Sequence, residues 1–211
     1  PRRDNHEYID GAWVKGMKVE SEARTNVFTY TNIDNAAWTR GNTATLSQDA
    51  VGPDGQTSAV TFADNGATGT GLVYAYENVT VNTSTSYTYS VYAKADGLTG
   101  LLMYAGNFTT PAGVGYYFDL ANGVVDSAFS GGTGLTPTIH DEGGGWYRCA
   151  ISFETDAADT SGQAELYLAD LSGATTHTVA LDGTSSILIY GAQFEAGSTP
   201  SSLIPTYGAT R

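Results

Sequence analysis

The side chains best suited to binding chemistry in this sequence are aromatic and basic residues in alternating segments. Tyr92 and Lys94 fall on the opposite side of their segment from its apolar residues, as do Trp146 and Arg148. Aromatic rings stack on the apolar C–H faces of sugar rings, and lysine and arginine donate hydrogen bonds to hydroxyls or acidic sugars. The pattern therefore predicts a shallow glycan-binding groove on a concave sheet. Its candidate residues are Tyr74, Tyr76, Tyr92, Lys94, Tyr104, Tyr117, Trp146 and Arg148.

A packing role for these rings stays open at the level of sequence. The chain has 14 tyrosines, and both faces of a β-sandwich can be covered by loops or by other chains. Any single ring could therefore belong to the interior or to a subunit contact rather than to a ligand site.

Catalytic and metal-binding motifs are absent from the sequence. The three histidines (His6, His140 and His177) lack metal-ligand spacing, and the single Cys149 excludes an internal disulfide and a cysteine-based zinc site. No nucleophile elbow, phosphate loop or zinc-protease helix occurs. A glycosidase needs two carboxylates about 5–9.5 Å apart, and the sequence marks no particular pair among its 22 acids. We therefore expect no catalytic residues and no enzyme activity, while metal ligands stay unknown.

The strongly negative net charge of the chain argues against nucleic-acid and membrane partners. The formal net charge is −13, and residues 1–24 hold equal numbers of acids and bases, so the rest of the chain carries the whole excess. Such a field repels phosphate backbones and anionic membrane surfaces. No run of apolar residues is long enough to span a membrane as a helix. We expect neither a nucleic-acid partner nor membrane insertion.

The elements that must position these side chains read as strands. In Asp141–Glu154 a triple-glycine turn precedes strict alternation, with Tyr147, Cys149, Ile151 and Phe153 on the apolar face. Asn122-Gly123 and Pro53-Asp54-Gly55 are tight-turn sequences. Further segments alternate at similar spacing, including Asn26–Thr31 and Gly71–Val81, and none shows helical periodicity. The pattern predicts an all-β fold, an antiparallel two-sheet sandwich of jelly-roll type.

The first part of the chain differs from the rest. Residues 1–25 mix charges around one apolar patch that contains Trp13, and they predict an N-terminal arm or short hairpin connector. Residues 26–211 form the predicted jelly-roll domain. Because the sequence opens without Met, we expect a piece of a longer chain.

An ordered series of motifs resembles a known family. The series is Arg24–Phe28, Trp38, Pro53–Gly55, Tyr89–Ala95, Phe118–Leu120, Gly145–Arg148, Tyr190–Ser198 and Ile204–Thr206. It resembles domains of tail, fibre and other structural proteins of tailed bacteriophages, which are similar to jelly-roll carbohydrate-binding modules. The resemblance covers roughly residues 20–211, with Tyr190 where the family often has Trp. It implies a concanavalin-like or carbohydrate-binding-module-like sandwich, and a structural calcium between the first and last strands as one option; no EF-hand spacing supports a calcium site here.

Three functions follow from the residues and the resemblance. The first is a non-catalytic phage virion module that binds host-surface glycan, in a receptor-binding or adhesion role. The second is a purely structural virion protein, such as a capsid decoration or tail fibre building block, whose aromatics serve subunit contacts. The third is a polysaccharide-degrading domain. In the first reading the partners are host cell-surface polysaccharide, other virion proteins through residues 1–25 and further copies of the chain, and the location is the virion surface.

Overall fold

The computed structural model describes residues 5–9, 12–16, 23–41, 43–109, 112–130 and 134–210, the first two ranges by their backbone alone. In these residues every regular element is a strand, as the absence of helical periodicity predicts. The strands are β1 (Asn5–Ile9), β2 (Ala12–Gly16), β3 (Thr39–Arg40), β4 (Ala44–Val51), β5 (Thr57–Asp64), β6 (Thr70–Leu72), β7 (Tyr74–Thr80), β8 (Ser86–Ala95), β9 (Gly100–Gly106), β10 (Val114–Asp119), β11 (Val124–Phe129), β12 (Leu135–Asp141), β13 (Trp146–Glu154), β14 (Ser161–Ala169), β15 (Thr178–Ala180) and β16 (Ser186–Ala196).

Two six-stranded antiparallel sheets form the predicted jelly-roll sandwich. Sheet I has the strand order β11-β10-β9-β14-β7-β3, and sheet II has the order β12-β13-β8-β16-β5-β4. Most neighbours are distant in sequence: β14 pairs with both β7 and β9, and β16 pairs with both β5 and β8. Long-range pairing therefore decides which side chains share a face.

The alternating segment at Trp146 is a strand, as predicted, and it lies in the interior of sheet II. Strand β13 pairs with β12 on one side and β8 on the other. Gly143, Gly144 and Gly145 have φ values of 79°, 62° and 80°, the left-handed region that glycine adopts without a Cβ clash. Cys149 and Ile151 are buried in the core, and burial raises the pKa of the Cys149 thiol. Cys149 is a buried hydrophobe, not a reactive thiol.

An aromatic cluster fills the centre of the sandwich. The ring of Phe28 lies 5.0 Å from that of Trp38, 5.7 Å from that of Tyr89 and 5.9 Å from that of Phe194. All four side chains are fully buried, so they supply large apolar area to the core between the sheets.

Two strand predictions are corrected. Asn26–Thr31 is not a regular strand and contains only one bridge, between Tyr30 and Tyr207. The Asn26 side chain makes hydrogen bonds where a strand would pair through its backbone. Its Nδ2 donates to the carbonyls of Ala192 and Ile204 at 3.2 and 3.1 Å. Gly71–Val81 is not one strand but two: β6 pairs with β15, and β7 joins sheet I.

The predicted turns are confirmed. Gly123, with φ of 65°, lies in the turn between β10 and β11, which pair antiparallel. Gly55, with φ of 74°, donates its N–H to the Gly52 carbonyl at 3.0 Å between β4 and β5.

Strands β1 and β2 pair with each other, in keeping with a short hairpin near the start of the chain. The remaining residues of 1–22 lie outside the described residues, and the role of this segment as a connector stays a prediction. Within the described part of the chain, no helix is long and apolar enough to cross a membrane.

The chain after β16 lies against the outer face of sheet II. Gln193 and Glu195, on that face, are fully buried. Glu195 Oε1 accepts the Ser201 N–H at 2.7 Å, and Gln193 Oε1 accepts the Ile204 N–H at 2.6 Å. The tail is therefore held by side chains of the last strand and covers part of sheet II.

Candidate functional site

The eight predicted site residues do not share one face. Tyr74, Tyr76, Tyr104 and Tyr117 lie on the outer face of sheet I, whereas Tyr92, Lys94, Trp146 and Arg148 lie on the outer face of sheet II. The prediction of a single groove is wrong in this respect. Alternation within a strand places a residue inside or outside, but the sheet that each strand joins depends on long-range pairing.

Of the four residues on sheet II, Trp146 and Arg148 are buried, whereas Tyr92 and Lys94 are half-buried. Trp146 is 4% exposed and Arg148 is 7% exposed. The Arg148 guanidinium carbon lies 5.2 Å from the centre of the Tyr92 ring, and Arg148 Nη2 donates to Ser90 Oγ at 3.2 Å. Lys94 Nζ donates to the Gly144 carbonyl at 2.8 Å. The prediction that Trp146 and Arg148 stand open to a ligand is wrong, because both are covered.

The Tyr92 side chain is half-buried among its neighbours. Burial raises the pKa of the Tyr92 hydroxyl, and the nearby Arg148 charge acts in the opposite direction. The Tyr92 ring contacts Tyr190 edge-on at 5.8 Å, and the side chain of Leu203 from the tail lies against Gly191 beside it. This end of sheet II is a packed interface between the sheet and the tail.

The outer face of sheet I carries a continuous set of aromatic rings, called here the aromatic face. Every member is an outward residue of one of five adjacent strands, and together the rings cross the sheet from β7 to β11. The members are Tyr74, Tyr76, Tyr104, Tyr117, Phe129 and Tyr167.

Successive rings of the aromatic face touch. Tyr74 stacks on Tyr76 at 6.4 Å and on Tyr167 at 5.3 Å. Tyr104 then contacts Tyr167 at 6.2 Å and Phe129 at 5.7 Å, both edge-on. Tyr117 closes the series 6.1 Å from Phe129. All but Tyr117 are half-buried, so their rings are held by neighbours while part of each stays accessible.

One carboxylate lies among these rings. Glu165 pairs in register with Tyr104 on β9 and with Tyr76 on β7, and its Oε2 accepts the Tyr167 hydroxyl at 2.7 Å. Burial raises the pKa of the Glu165 carboxyl, and the Tyr167 hydrogen bond acts in the opposite direction. Burial, followed by this hydrogen bond, raises the pKa of Tyr167, which therefore stays a neutral donor.

Gly106 provides the space that Glu165 occupies. A Cβ at Gly106 would collide with Glu165 Oε1 and would lie 3.1 Å from Cε1 of Tyr104. Any side chain at this position would displace the carboxylate from between the rings.

An amide row borders the aromatic face beyond Glu165. Asn107 Nδ2 donates to Gln163 Oε1 at 2.7 Å, and Gln163 Nε2 donates to Asn78 Oδ1 at 3.0 Å. Amide groups offer both donors and acceptors to a polar ligand. The row thus places uncharged hydrogen-bonding groups beside the rings.

His177 packs against the other end of the aromatic face. Its Nδ1 lies 2.9 Å from the Tyr117 hydroxyl, and its ring lies 4.9 Å from that of Phe129 and 5.7 Å from that of Tyr167. Burial lowers the pKa of His177, which favours the neutral imidazole at pH 7.

Sequence reasoning missed the residues that complete the face. Alternation in Ser161–Ala169 sends Gln163, Glu165 and Tyr167 to one side, and this signal was available. Phe129 ends an alternating segment, but nothing in the sequence brings it to Tyr104. His177 lies outside any strand, and only the fold brings it to the face.

The side-chain oxygens of Asn26 and of Glu195 on the last strand already accept hydrogen bonds from the protein. Asn26 Oδ1 accepts the N–H groups of Phe28 and Phe194, and both Glu195 oxygens accept hydrogen bonds from Ser201. Among the described residues no group of three or more His, Cys, Asp or Glu side chains could hold a metal ion. The oxygens at this place serve the protein itself.

Comparisons with known proteins find solved structures of similar fold but no matching protein family. No protein family matches the sequence, and no curated protein does so either. The enzymatically active domain of tailspike protein 4 from bacteriophage CBA120 aligns at a TM-score of 0.47 with 9% identity, covering 82% of this chain and 21% of that chain. The chain therefore spans about a fifth of the length of that solved domain.

Carbohydrate-binding modules align at similar values. The first CBM22 module of Paenibacillus barcinonensis Xyn10C, a xylan-binding domain, aligns at a TM-score of 0.44 with 11% identity, covering 83% of this chain and 94% of that chain. The mannan-recognising module TmCBM27 aligns at 0.39 with 14% identity, covering 83% and 96% of the two chains. At such values the function must be argued from this chain's own side chains.

Proposed function

We propose that this protein is a non-catalytic module that binds glycan on the aromatic face of sheet I. The observation that carries the proposal is the unbroken contact of six rings across five strands, from Tyr76 to Tyr117, with Glu165 among them. Rings supply stacking area for the C–H faces of sugars, and the amide row supplies partners for hydroxyls.

The dimensions of the face suit an extended oligosaccharide. Neighbouring strands lie about 4.8 Å apart, so the four spacings from β7 to β11 span about 19 Å. A glycan several sugars long can therefore cross the strands and contact successive rings. Stacking with a few hydrogen bonds on a shallow face predicts a Kd on the order of 10⁻³ to 10⁻⁵ M.

The distribution of acids supports binding rather than hydrolysis. Hydrolysis needs two carboxylates that flank one glycosidic bond. Among the described residues, Glu165 is the carboxylate that hydrogen-bonds to a ring of the aromatic face, while Glu77 of the same sheet faces the core side, beside Thr29. Glu165 is committed to the Tyr167 hydroxyl within this face, which suits recognition rather than hydrolysis.

We place this binding on a bacteriophage virion, facing host-surface polysaccharide. The support is the ordered motif series that resembles structural proteins of tailed phages. In that setting residues 1–25 would attach the module to other virion proteins, and several copies would raise weak binding through avidity.

A purely structural virion role is the second candidate. Val51 and Tyr207 are 61% and 74% exposed, and such side chains suit contacts between subunits. Rings of the aromatic face buried between copies would favour this role.

A glycan array followed by calorimetric titration tests the proposal. Tyr74→Ala and Tyr167→Ala should each weaken binding about tenfold or more. Tyr207→Ala, an exposed tyrosine outside the face, is the matched control and should bind like the wild type. Absence of binding to every glycan on the array would favour the structural role, and unchanged affinity in both folded ring variants would place the site elsewhere.

A further inference from the structure

Given the glycan binding proposed above, we infer that the aromatic face selects uncharged glycans and that Glu165 is the residue that enforces this selection. The ligand class is a neutral oligosaccharide that stacks on the rings and whose hydroxyls meet the amide row. Glycans that carry carboxylate, phosphate or sulfate groups are excluded.

Lysine and arginine are absent from the strands that carry the aromatic face. Between residues 41 and 210 the sequence contains two lysines or arginines, Lys94 and Arg148, and both belong to sheet II. None of the strands β7, β14, β9, β10 and β11 contains a basic residue. The face therefore has no lysine or arginine on its strands to neutralise an anionic sugar.

The arginine of sheet I, Arg40, contacts Asp34. Arg40 lies on β3 at the edge beside β7, where its Nη2 is 3.7 Å from Asp34 Oδ1 and donates to the Asp34 carbonyl at 3.3 Å. Arg24, near the end of the connector, lies beside β16 of sheet II and donates to the Ala196 carbonyl at 2.6 Å. Both guanidinium groups lie away from the rings.

The remaining titratable groups on the face do not supply positive charge. Burial lowers the pKa of His177, and burial raises the pKa of Tyr104, Tyr117 and Tyr167. The hydroxyls thus stay neutral donors and the imidazole is neutral at pH 7. Asp126 adds negative charge near Tyr117, whose pKa it raises further.

Glu165 is 7% exposed and lies between rings of the aromatic face, so a sugar stacked on those rings would lie close to its charge. Its register partners Tyr104 and Tyr76 flank it, and its Oε2 is held by the Tyr167 hydroxyl at 2.7 Å. A carboxylate on a sugar stacked over these rings would approach Glu165 in a partly desolvated site, where like charges repel more strongly than in water. A hydroxyl in the same place carries no charge and meets no such repulsion.

The two basic residues of the predicted site lie away from the aromatic face. Lys94 and Arg148 suggested local attraction for acidic sugars, but both are committed to contacts on sheet II. The rings and the basic residues belong to opposite faces. The side chains that could attract anions and those that could stack on sugars therefore lie on different sheets.

Matched pairs of ligands test the inference. Uncharged β-1,4-linked glucose and mannose hexasaccharides are titrated beside their C6-carboxylate counterparts, the glucuronate and mannuronate hexasaccharides, after an array has covered further pairs of the same kind. Low ionic strength maximises the effect, and EDTA prevents a divalent cation from bridging two carboxylates. The neutral member of the best-binding pair should bind about tenfold tighter or more.

Glu165→Gln identifies the responsible residue. It removes the charge at nearly constant size and should reduce the preference to about threefold or less. Glu154→Gln makes the same change at the exposed end of β13 on sheet II, and it should keep the full preference. Added salt, which needs no variant, should raise wild-type affinity for the uronate and leave the neutral ligand unaffected.

The outcomes separate the two proposals. Equal or tighter binding of the uronate by the wild type would overturn selection while leaving glycan binding intact. An unchanged preference in folded Glu165→Gln would overturn the role of Glu165. No binding to any glycan, charged or neutral, would remove the proposed function and this inference with it.

Discussion

The Tyr167 hydroxyl donates a 2.7 Å hydrogen bond to Glu165 Oε2, two residues earlier on the same face of β14. This bond ties the carboxylate to the ring beside it, so stacking area and a hydrogen-bond acceptor are positioned together. It also favours the ionised carboxylate against the effect of burial. The chemistry of the aromatic face depends on this pair.

Removing that hydroxyl should change the titration of Glu165. Tyr167→Phe keeps the ring and loses the hydrogen bond, so the pKa of Glu165 should rise further above 4.5. Carbon NMR of the carboxyl across pH measures this. Glu154 in the same spectra is the internal control, and an unchanged or lowered Glu165 pKa would contradict the assigned hydrogen bond.

Filling the space at Gly106 should disrupt the face without unfolding the domain. The Cβ of Gly106→Ala collides with Glu165 Oε1, so the carboxylate must leave its place between the rings. We expect glycan affinity to fall about fivefold to tenfold. Gly173→Ala, where nothing lies within 4 Å of an added Cβ, is the control. Calorimetry with the best array ligand measures both, and equal affinities would argue against a role for Glu165.

Arg148 should prove dispensable for glycan binding. Its Nε is buried without a hydrogen-bond partner, and the described residues provide no ion pair for it. An apolar residue of similar length often replaces a buried charge at little or no cost. Arg148→Met should change the free energy of unfolding by about 1 kcal/mol or less, with unchanged affinity. Denaturant titration and calorimetry test this, and a loss of affinity would return the site to sheet II.

The effect of Glu77 on stability should depend on pH. Burial raises the pKa of Glu77, and its Oε2 has no partner. The native state therefore binds this proton more tightly than the unfolded chain, and the contribution to stability falls as pH rises from 4.5 through the raised pKa. Glu77→Gln should be more favourable, relative to the wild type, at pH 7 than at pH 4. Thermal unfolding at both values checks the sign, and the reverse order would contradict it.

Asn26 should be a major stabilising residue outside the core. Asn26→Ala leaves the N–H groups of Phe28 and Phe194 and the carbonyls of Ala192 and Ile204 without these partners. A loss of about 3–5 kcal/mol is expected, since unsatisfied buried groups cost about 1–3 kcal/mol each and do not add fully. Asn35→Ala, which loses one exposed turn hydrogen bond to Ala37, is the control. Equal stabilities in denaturant would refute the assignment.

The local geometry of the strands and turns follows from the amino-acid sequence alone. Alternation places Cys149 and Ile151 inside and Arg148 outside, because successive side chains of a strand point to opposite faces. Glycines mark the turns, since a positive φ is strained for other residues. An all-β sandwich follows from these local signals.

Which outward residues meet depends on the long-range pairing of the strands. Tyr74, Tyr104 and Tyr167 come from β7, β9 and β14 and meet because β14 pairs between the other two. Tyr92 and Trp146 obey the same alternation, yet their strands join sheet II, where Trp146 is covered. Strand pairing over long separations depends on how the whole core packs, and no local pattern encodes it. For that reason the sequence identified four of the six rings of the aromatic face, and the fold separated them from the four residues on sheet II.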